Sequence, residues 1–195
     1  MYGKTREGIV LPPIVDAEGV LLTKPMGGTL ADAAINGRLF VAANQTATTT
    51  NTSLGTAFAG LGICNPTGSG KLVIVHQFGY AVTGAITDEA LLALATTTDS
   101  GMTAADIAPR CARYGYRTSV CTARASGTIA APVIERVISQ LVSGADTVSY
   151  GGMVPNVVNL RGSIVLAPGR TLVTDTTVPV GAVMQFSFCW EEIDS

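Results

Sequence analysis

The segment that most narrows the fold is the last one, "AVMQFSFCWEE", residues 182–192. Met184, Phe186, Phe188 and Trp190 fall on every second position, with Gln185, Ser187, Cys189 and Glu191 between them. Successive side chains of an extended strand point to opposite faces, so the large apolar groups share one face and the smaller or polar ones the other. A half-buried antiparallel strand carries that alternation; a parallel strand buried on both faces does not.

From Arg38 onward the chain keeps the same punctuation. β-branched and apolar runs at 38–44, 56–64, 71–82, 117–125, 132–142, 162–167 and 170–175 are separated by Gly, Pro, Asn and Ser. Residues 56–64 and 71–82 are expected to form a hairpin across "NPTGSG". Alternation from Leu72 would put Leu72, Ile74, His76, Phe78, Tyr80 and Val82 on one face. Pro168-Gly169 suits a type II turn with glycine at the positive-φ position. "TLADAAING", residues 29–37, reads as a short helix, with Thr29 and Asp32 at capping-box spacing and Gly37 as its stop. "TAADIAPR", 103–110, reads as a helical turn ended by Pro109. "TDEALLALA", 87–95, is locally helical, with Thr87 as cap and Asp88 and Glu89 at the positive helix end. Surrounding strands would instead impose an extended form, and both outcomes stay open. About eight or nine strands at these intervals predict an all-β fold, an antiparallel β-sandwich or jelly roll.

Residues 1–28 are expected to be an extended arm and 29–195 the jelly-roll domain. Three prolines and four glycines in "GIVLPPIVDAEGVLLTKPMGG" prevent a helix there. Ile9, Leu11, Ile14, Val15, Leu21 and Leu22 are too apolar for a solvated tail, so the arm is expected to dock on a partner or a neighbouring subunit, with packing against its own domain as the alternative. Pro12, Pro13, Asp16 and Glu18 interrupt any secretory leader, which makes cytoplasmic synthesis the expectation. No uninterrupted apolar run nears the ~20 residues that span a bilayer, so no membrane partner is expected.

Charged residues make up 13% of the chain, against about 25% in ordinary domains. None occurs in residues 39–70 or 176–190. A surface this poor in charge is expected to be covered by neighbours, as in an assembly component. The net charge of −2 disfavours a general polyanion binder, so no nucleic-acid partner is expected. The local basic cluster Arg110, Arg113, Arg117 and Arg124, with Tyr114 and Tyr116 among it, is read as a solvated face or an inter-subunit salt-bridge set, with contact to nucleic acid or an acidic protein surface as the alternative.

Residues that would carry chemistry do not converge. "NPTGSGKL" resembles a phosphate loop at Gly70 and Lys71, but Asn65 stands at the leading glycine position and Leu72 at the hydroxyl position, and a strand follows where a helix is needed. His76 is the only histidine and lies in an apolar row. Asp88–Glu89 and Glu191–Glu192 are adjacent, so in a strand each pair diverges to opposite faces. Cys64, Cys111, Cys121 and Cys189 form no C-x-x-C pair and are read as small apolar groups. The expectation is no enzyme, no catalytic residue, no cofactor and no metal site.

"NPTGSGKLVIV", "GSIVLAPGRTLV" as a hairpin around a Pro-Gly turn, and the closing "MQFSFCWEEI" resemble tailed-bacteriophage virion proteins, in particular the small jelly-roll decoration (cement) proteins. "LAPGR" is also similar to the L-x-P-G-x hairpin of trimeric tumour-necrosis-factor-like jelly rolls. The resemblance covers residues 38–193 and transfers no functional residue. It implies a homotrimer on the outer surface of a phage capsid, bound to the major capsid protein. The alternative is a glycan-binding module of a tail fibre or spike, for which Tyr114, Tyr116 and Tyr150 are the loop aromatics.

Overall fold

The structure is a computed structural model and describes residues 3–4, 10–11, 30–46, 48–50, 57–83, 86–98, 106–129, 132–141, 156–177 and 183–195. In chain order the elements are β1 (Gly3–Lys4), β2 (Val10–Leu11), α1 (Leu30–Ile35), β3 (Leu39–Ala43), β4 (Thr48–Thr49), β5 (Ala57–Asn65) and β6 (Lys71–Thr83). They continue with β7 (Ala90–Thr97), β8 (Arg110–Cys111), β9 (Thr122–Thr128), β10 (Val133–Leu141), β11 (Asn156–Leu166), β12 (Arg170–Thr176) and β13 (Val183–Asp194). Two antiparallel sheets carry the fold. The first runs β11-β6-β13-β3-β8, with β4 also on β13, and the second β10-β7-β12-β5-β9.

The pairing is nested. β3 pairs the last strand, β13; β5 pairs β12; β6 pairs β11; β7 pairs β10. One long antiparallel ribbon, rolled so that successive pairs fall alternately in the two sheets, produces this order, and it is the jelly roll the sequence predicts. The ribbon is interrupted once, between β7 and β10, where β8 extends the first sheet beside β3 and β9 extends the second beside β5.

The nesting overturns two expected hairpins. β5 and β6 lie in different sheets, as do β11 and β12. Their turns have the local chemistry foreseen for them: Arg170 N–H donates to Ala167 O at 3.2 Å, and Gly169 sits at φ 81°. What local sequence does not specify is whether a turn folds a strand onto its neighbour or carries it across the core. Here the apolar faces on both sides demand the second.

Between the sheets lie Phe40, Phe78, Phe186, Phe188 and Trp190 from the first and Leu61, Ile63, Leu92, Leu94 and Leu172 from the second. Full burial of each such side chain is worth about 1.5–3 kcal/mol. The ring of Phe78 meets those of Phe186 and Phe188 at centroid distances of 6.0 and 5.2 Å. The alternation of β13 is realised: Met184, Phe186, Phe188 and Trp190 are buried.

β7 settles the open segment. Residues 90–97 are extended and hydrogen-bonded on both sides, to β10 and β12, with Leu92 and Leu94 in the core. Two ladders and two buried leucines outweigh local helix preference. α1 forms as expected and ends in a Schellman motif. Gly37 N–H donates to Ala34 O and Arg38 N–H to Ala33 O, with Gly37 at φ 68°. Thr29, its expected cap, lies outside the described residues. The helical turn expected at 103–110 is corrected in its described part, where Ile107 bridges Ala123 and Arg110 opens β8. Once β9 is in place, an extended Ile107 buries its side chain at the sheet margin. The strand expected at 117–125 begins only at Thr122, because 117–121 crosses between the sheets.

β6 does not keep one alternation. Cys189 pairs Gln77 and Trp190 pairs Val75, so His76 is an extra residue that switches the faces. Val73, Val75, Phe78, Tyr80 and Val82 are buried, while Leu72, Ile74 and His76 face outward.

Buried polar side chains fasten the two ends of the roll. At one end Asn65 Nδ2 donates to Lys71 O (2.8 Å) and Leu166 O (2.9 Å), its Oδ1 accepts from Ser69 Oγ (2.6 Å), and its carbonyl accepts from Gly169 N–H (2.7 Å). Both cross-core turns are thereby tied together. Beside them Glu192 accepts from Ser119 Oγ, Val120 N–H and Trp190 Nε1, holding the β8-to-β9 crossing. At the other end Asn44 Nδ2 donates to Met184 O and Thr46 O, and its Oδ1 accepts from Phe186 N–H.

Asp175 is less well served. Its Oδ1 accepts from Thr176 N–H at 2.8 Å, but Oδ2, equally buried, has no hydrogen-bond partner. Burial raises its pKa above the ordinary carboxylate value. A folded-state pKa above the unfolded value means that the group's contribution is fully present below the unfolded pKa and is lost as pH rises through the folded one. Asp175→Asn should therefore flatten this part of the stability profile. Thermal melts from pH 4 to 7 should show wild type losing stability relative to the variant as pH rises, and parallel profiles would refute the assignment.

Candidate interaction surfaces

The two sheets treat their outer faces differently. On the β12 sheet the outer side chains Cys64, Ala95 and Val173 are buried in a second small cluster with Ile129. The outer face of the β13 sheet is open. Its centre is small, with Gly79 beside Ser187, Ala81 beside Gln185, and Cys189 between Gln77 and Val41. A Cβ on Gly79 would come within 2.5 Å of Ser187 Oγ, so this floor stays flat. Valines stand around it: Val157 (60% exposed) and Val165 (51%) on β11, Val41 on β3 and Val183 at the start of β13.

One carboxylate on this face, that of Glu191, is itself buried. Arg38 binds its Oε1 at 3.1 Å, and His76 Nε2 lies 3.4 Å from its Oε2. A wide bulge of β11 faces His76: Asn159 pairs Gln77 and Ile164 pairs Val75, leaving residues 160–163 opposite one histidine. Arg161 (φ 52°) and Gly162 (φ 73°) make the reversal there. Among the described residues His76 is hydrogen-bonded to Glu191 and to no hydroxyl or thiol. Arg38 thereby neutralises the buried Glu191, to which His76 is also hydrogen-bonded. Glu191 and Glu192 diverge as their adjacency predicts.

A second surface lies where α1 meets the segment after β8. Gly37 leaves room for the Tyr116 ring; a Cβ there would fall 2.1 Å from its Cδ1. The guanidinium of Arg113 lies 4.0 Å from the centre of that ring and the guanidinium of Arg117 5.4 Å. Arg113 also donates to Ile35 O at 3.0 Å. Beside them is a shallow depression of about 410 Å³ lined by Ala34, Ile35, Ala112 and Arg113. Ile35 is 63% exposed and Tyr114 84% exposed. Among the described residues the salt bridges involve Arg38, Lys71 and His76, and Arg110, Arg113 and Arg117 meet no acid there.

Of the four arginines read as one cluster, the structure brings Arg113 and Arg117 together on Tyr116 and sets Arg110 near them on the β13-sheet face, opposite Val41. Arg124 is apart, on β9 opposite Gly62, with its Nε buried and without a hydrogen-bond partner. The arm side chains Ile9, Leu11, Ile14, Val15, Leu21 and Leu22 lie outside the described residues, as does Tyr150; in that region Gly3–Lys4 and Val10–Leu11 pair antiparallel. Ile35 and the small floor around Gly79 were not singled out by the sequence. The one available signal was the combination of Gly, Ala, Ser and Cys at alternate positions of β6 and β13.

The cysteines are free thiols. Burial, with Glu192 nearby, pushes the Cys121 thiol up, and burial pushes Cys189 up to about 11. Neither is a poised nucleophile. Among the described residues no three His, Cys, Asp or Glu side chains converge as metal ligands, and no helix is long and apolar enough to cross a membrane. No family model, curated protein or solved structure matches the chain.

Proposed function

We propose that this chain is a structural virion protein: a decoration (cement) protein that binds the major capsid protein on the outside of an icosahedral phage head and stabilises it as a homotrimer. It would be made in the host cytoplasm and function on the virion, with no catalytic step and no cofactor. The observation that carries the reading is the asymmetry of the jelly roll. The outer face of the β12 sheet is buried at its centre, at Cys64, Ala95 and Val173, and exposes Leu91 and Val137 on the β7–β10 side. The outer face of the β13 sheet presents a flat floor of small residues with valines standing around it. Apolar area buried there contributes about 25 cal/mol per Å² before association costs are subtracted. A second reading, a glycan-binding module of a tail fibre or spike, is favoured by one observation, the outstanding exposure of Tyr114, since sugar rings stack on exposed aromatic faces.

Light scattering after size exclusion separates the two. The chain is 20.0 kDa, and a trimer of about 60 kDa is expected. Val157→Asp with Val165→Asp should reduce it to the monomer, because a charge placed in a desolvated contact opposes association. A wild-type monomer that binds a glycan array, and loses that binding in Tyr114→Ala, would replace the shell reading with the second one.

A further inference from the structure

We infer that the arginine–tyrosine surface beside α1 is a docking site for an acidic segment of a different protein. The inference rests on reading the chain as an assembly component, but not on its trimer.

Three features specify the partner's chemistry. Arg110, Arg113 and Arg117 are exposed and meet no acid among the described residues. Arg113 and Arg117 are held against one ring, so part of the side-chain entropy lost on binding is already spent. A guanidinium held this way presents a planar fork that carboxylates meet with two parallel hydrogen bonds. Next to it, the depression at Ala34, Ile35 and Ala112 offers an apolar seat. Carboxylates next to an apolar side chain therefore fit, and Arg and Tyr are the residue types enriched where such contacts carry binding energy.

Other occupants fit less well. The same loop of a second copy would bring like charges together. Of the exposed acids among the described residues, Asp88, Asp106 and Glu135 already accept hydrogen bonds from Thr87, Ala125 and Thr96 and Asp194 pairs with Lys71, so a second copy would offer the three arginines little more than Glu89. A nucleic-acid strand would want a run of free aromatic faces, and this surface offers only that of Tyr114, because Tyr116 has Arg113 stacked on it and Gly37 beneath it. The chain's net charge of −2 also opposes a long polyanion.

The test uses the full chain and fluorescence anisotropy with a labelled glutamate–tyrosine copolymer, a lysine–tyrosine copolymer and oligothymidylate. The acidic copolymer should bind, weakening as salt rises, and the other two should not. Arg113→Gln with Arg117→Gln should weaken it about tenfold or more, as loss of charge-assisted contacts predicts. Tyr114→Ala, at a position 84% exposed and so of little consequence for folding, should weaken it several-fold. Both variants should keep the wild-type solution mass. Binding of oligothymidylate that the same variants abolish would assign the surface to nucleic acid instead. Copolymer binding indifferent to the variants, or its absence, would overturn the proposal. Variants that fall apart to monomers would show the loop to be an inter-subunit contact, and a monomeric wild type that still binds the copolymer would refute the trimer alone.

Discussion

Replacing Asn65 by alanine should remove about 3–5 kcal/mol of stability, a large share of the about 5–15 kcal/mol typical of a domain. The side chain is fully buried and makes three hydrogen bonds, two of them to carbonyls on different sheet crossings, Lys71 O and Leu166 O. Alanine leaves both carbonyls buried without a donor, and each such group costs about 1–3 kcal/mol. Asn65→Asp preserves the shape but replaces the donor with a second acceptor facing the same carbonyls. It should be at least as damaging at neutral pH and milder in acid. Ser69→Ala removes one partner at a part-buried site and should cost about 1 kcal/mol. Urea unfolding provides the comparison, read as midpoints at unchanged slope. An Asn65→Ala midpoint close to that of Ser69→Ala would mean the two crossings are not held by this residue.

Gly60→Ala should be comparably severe for a steric reason. Gly60 lies where β5 gains one residue against β9, at φ 148°. A Cβ there would stand 2.1 Å from Thr174 Oγ1 and 3.0 Å from Phe186 Cε2. Thr174 is on the central strand of its sheet, and its hydroxyl accepts from Leu61 N–H at 2.9 Å. The methyl group must displace that hydroxyl, orphan the Leu61 amide and push into a packed ring. Overpacking, a lost buried bond and backbone strain together predict a loss of about 4 kcal/mol. Gly68→Ala is the control, because its Cβ would meet nothing within 4 Å although its φ is also positive. Equal losses in the two variants would show that backbone conformation, and not the Thr174 contact, sets the effect.

The strand inventory was legible because alternation is a local property: Phe186, Phe188 and Trp190 announce their face within one segment. The pairing was not, because Pro168-Gly169 and the turn at 66–70 look the same whether they close a hairpin or cross a core. His76 shows a second limit. A single inserted residue reverses every face that follows, and nothing in "LVIVHQFGYAV" marks it except its partner strands. β7 shows a third, where helix-forming residues adopt the conformation that two flanking ladders impose. For the candidate surfaces, the arginines and tyrosines were visible in sequence, but their division was not. Arg124 falls on another strand and another sheet, and what joins Arg113 to Arg117 is a ring that needs Gly37, far away in the chain, to make room.

The nested order also dictates when this protein can fold. β13 lies between β6 and β3 in the middle of its sheet, yet it follows all the other strands of the fold in chain order. Until it emerges, β3 and β6 have no partner between them, and Phe40 and Phe78 have no opposing rings. Synthesis must therefore pass every other strand of the fold before that sheet can close, so the nascent chain carries exposed apolar strand edges that chaperones would recognise. The low charge of the chain leaves those edges with little protection of their own.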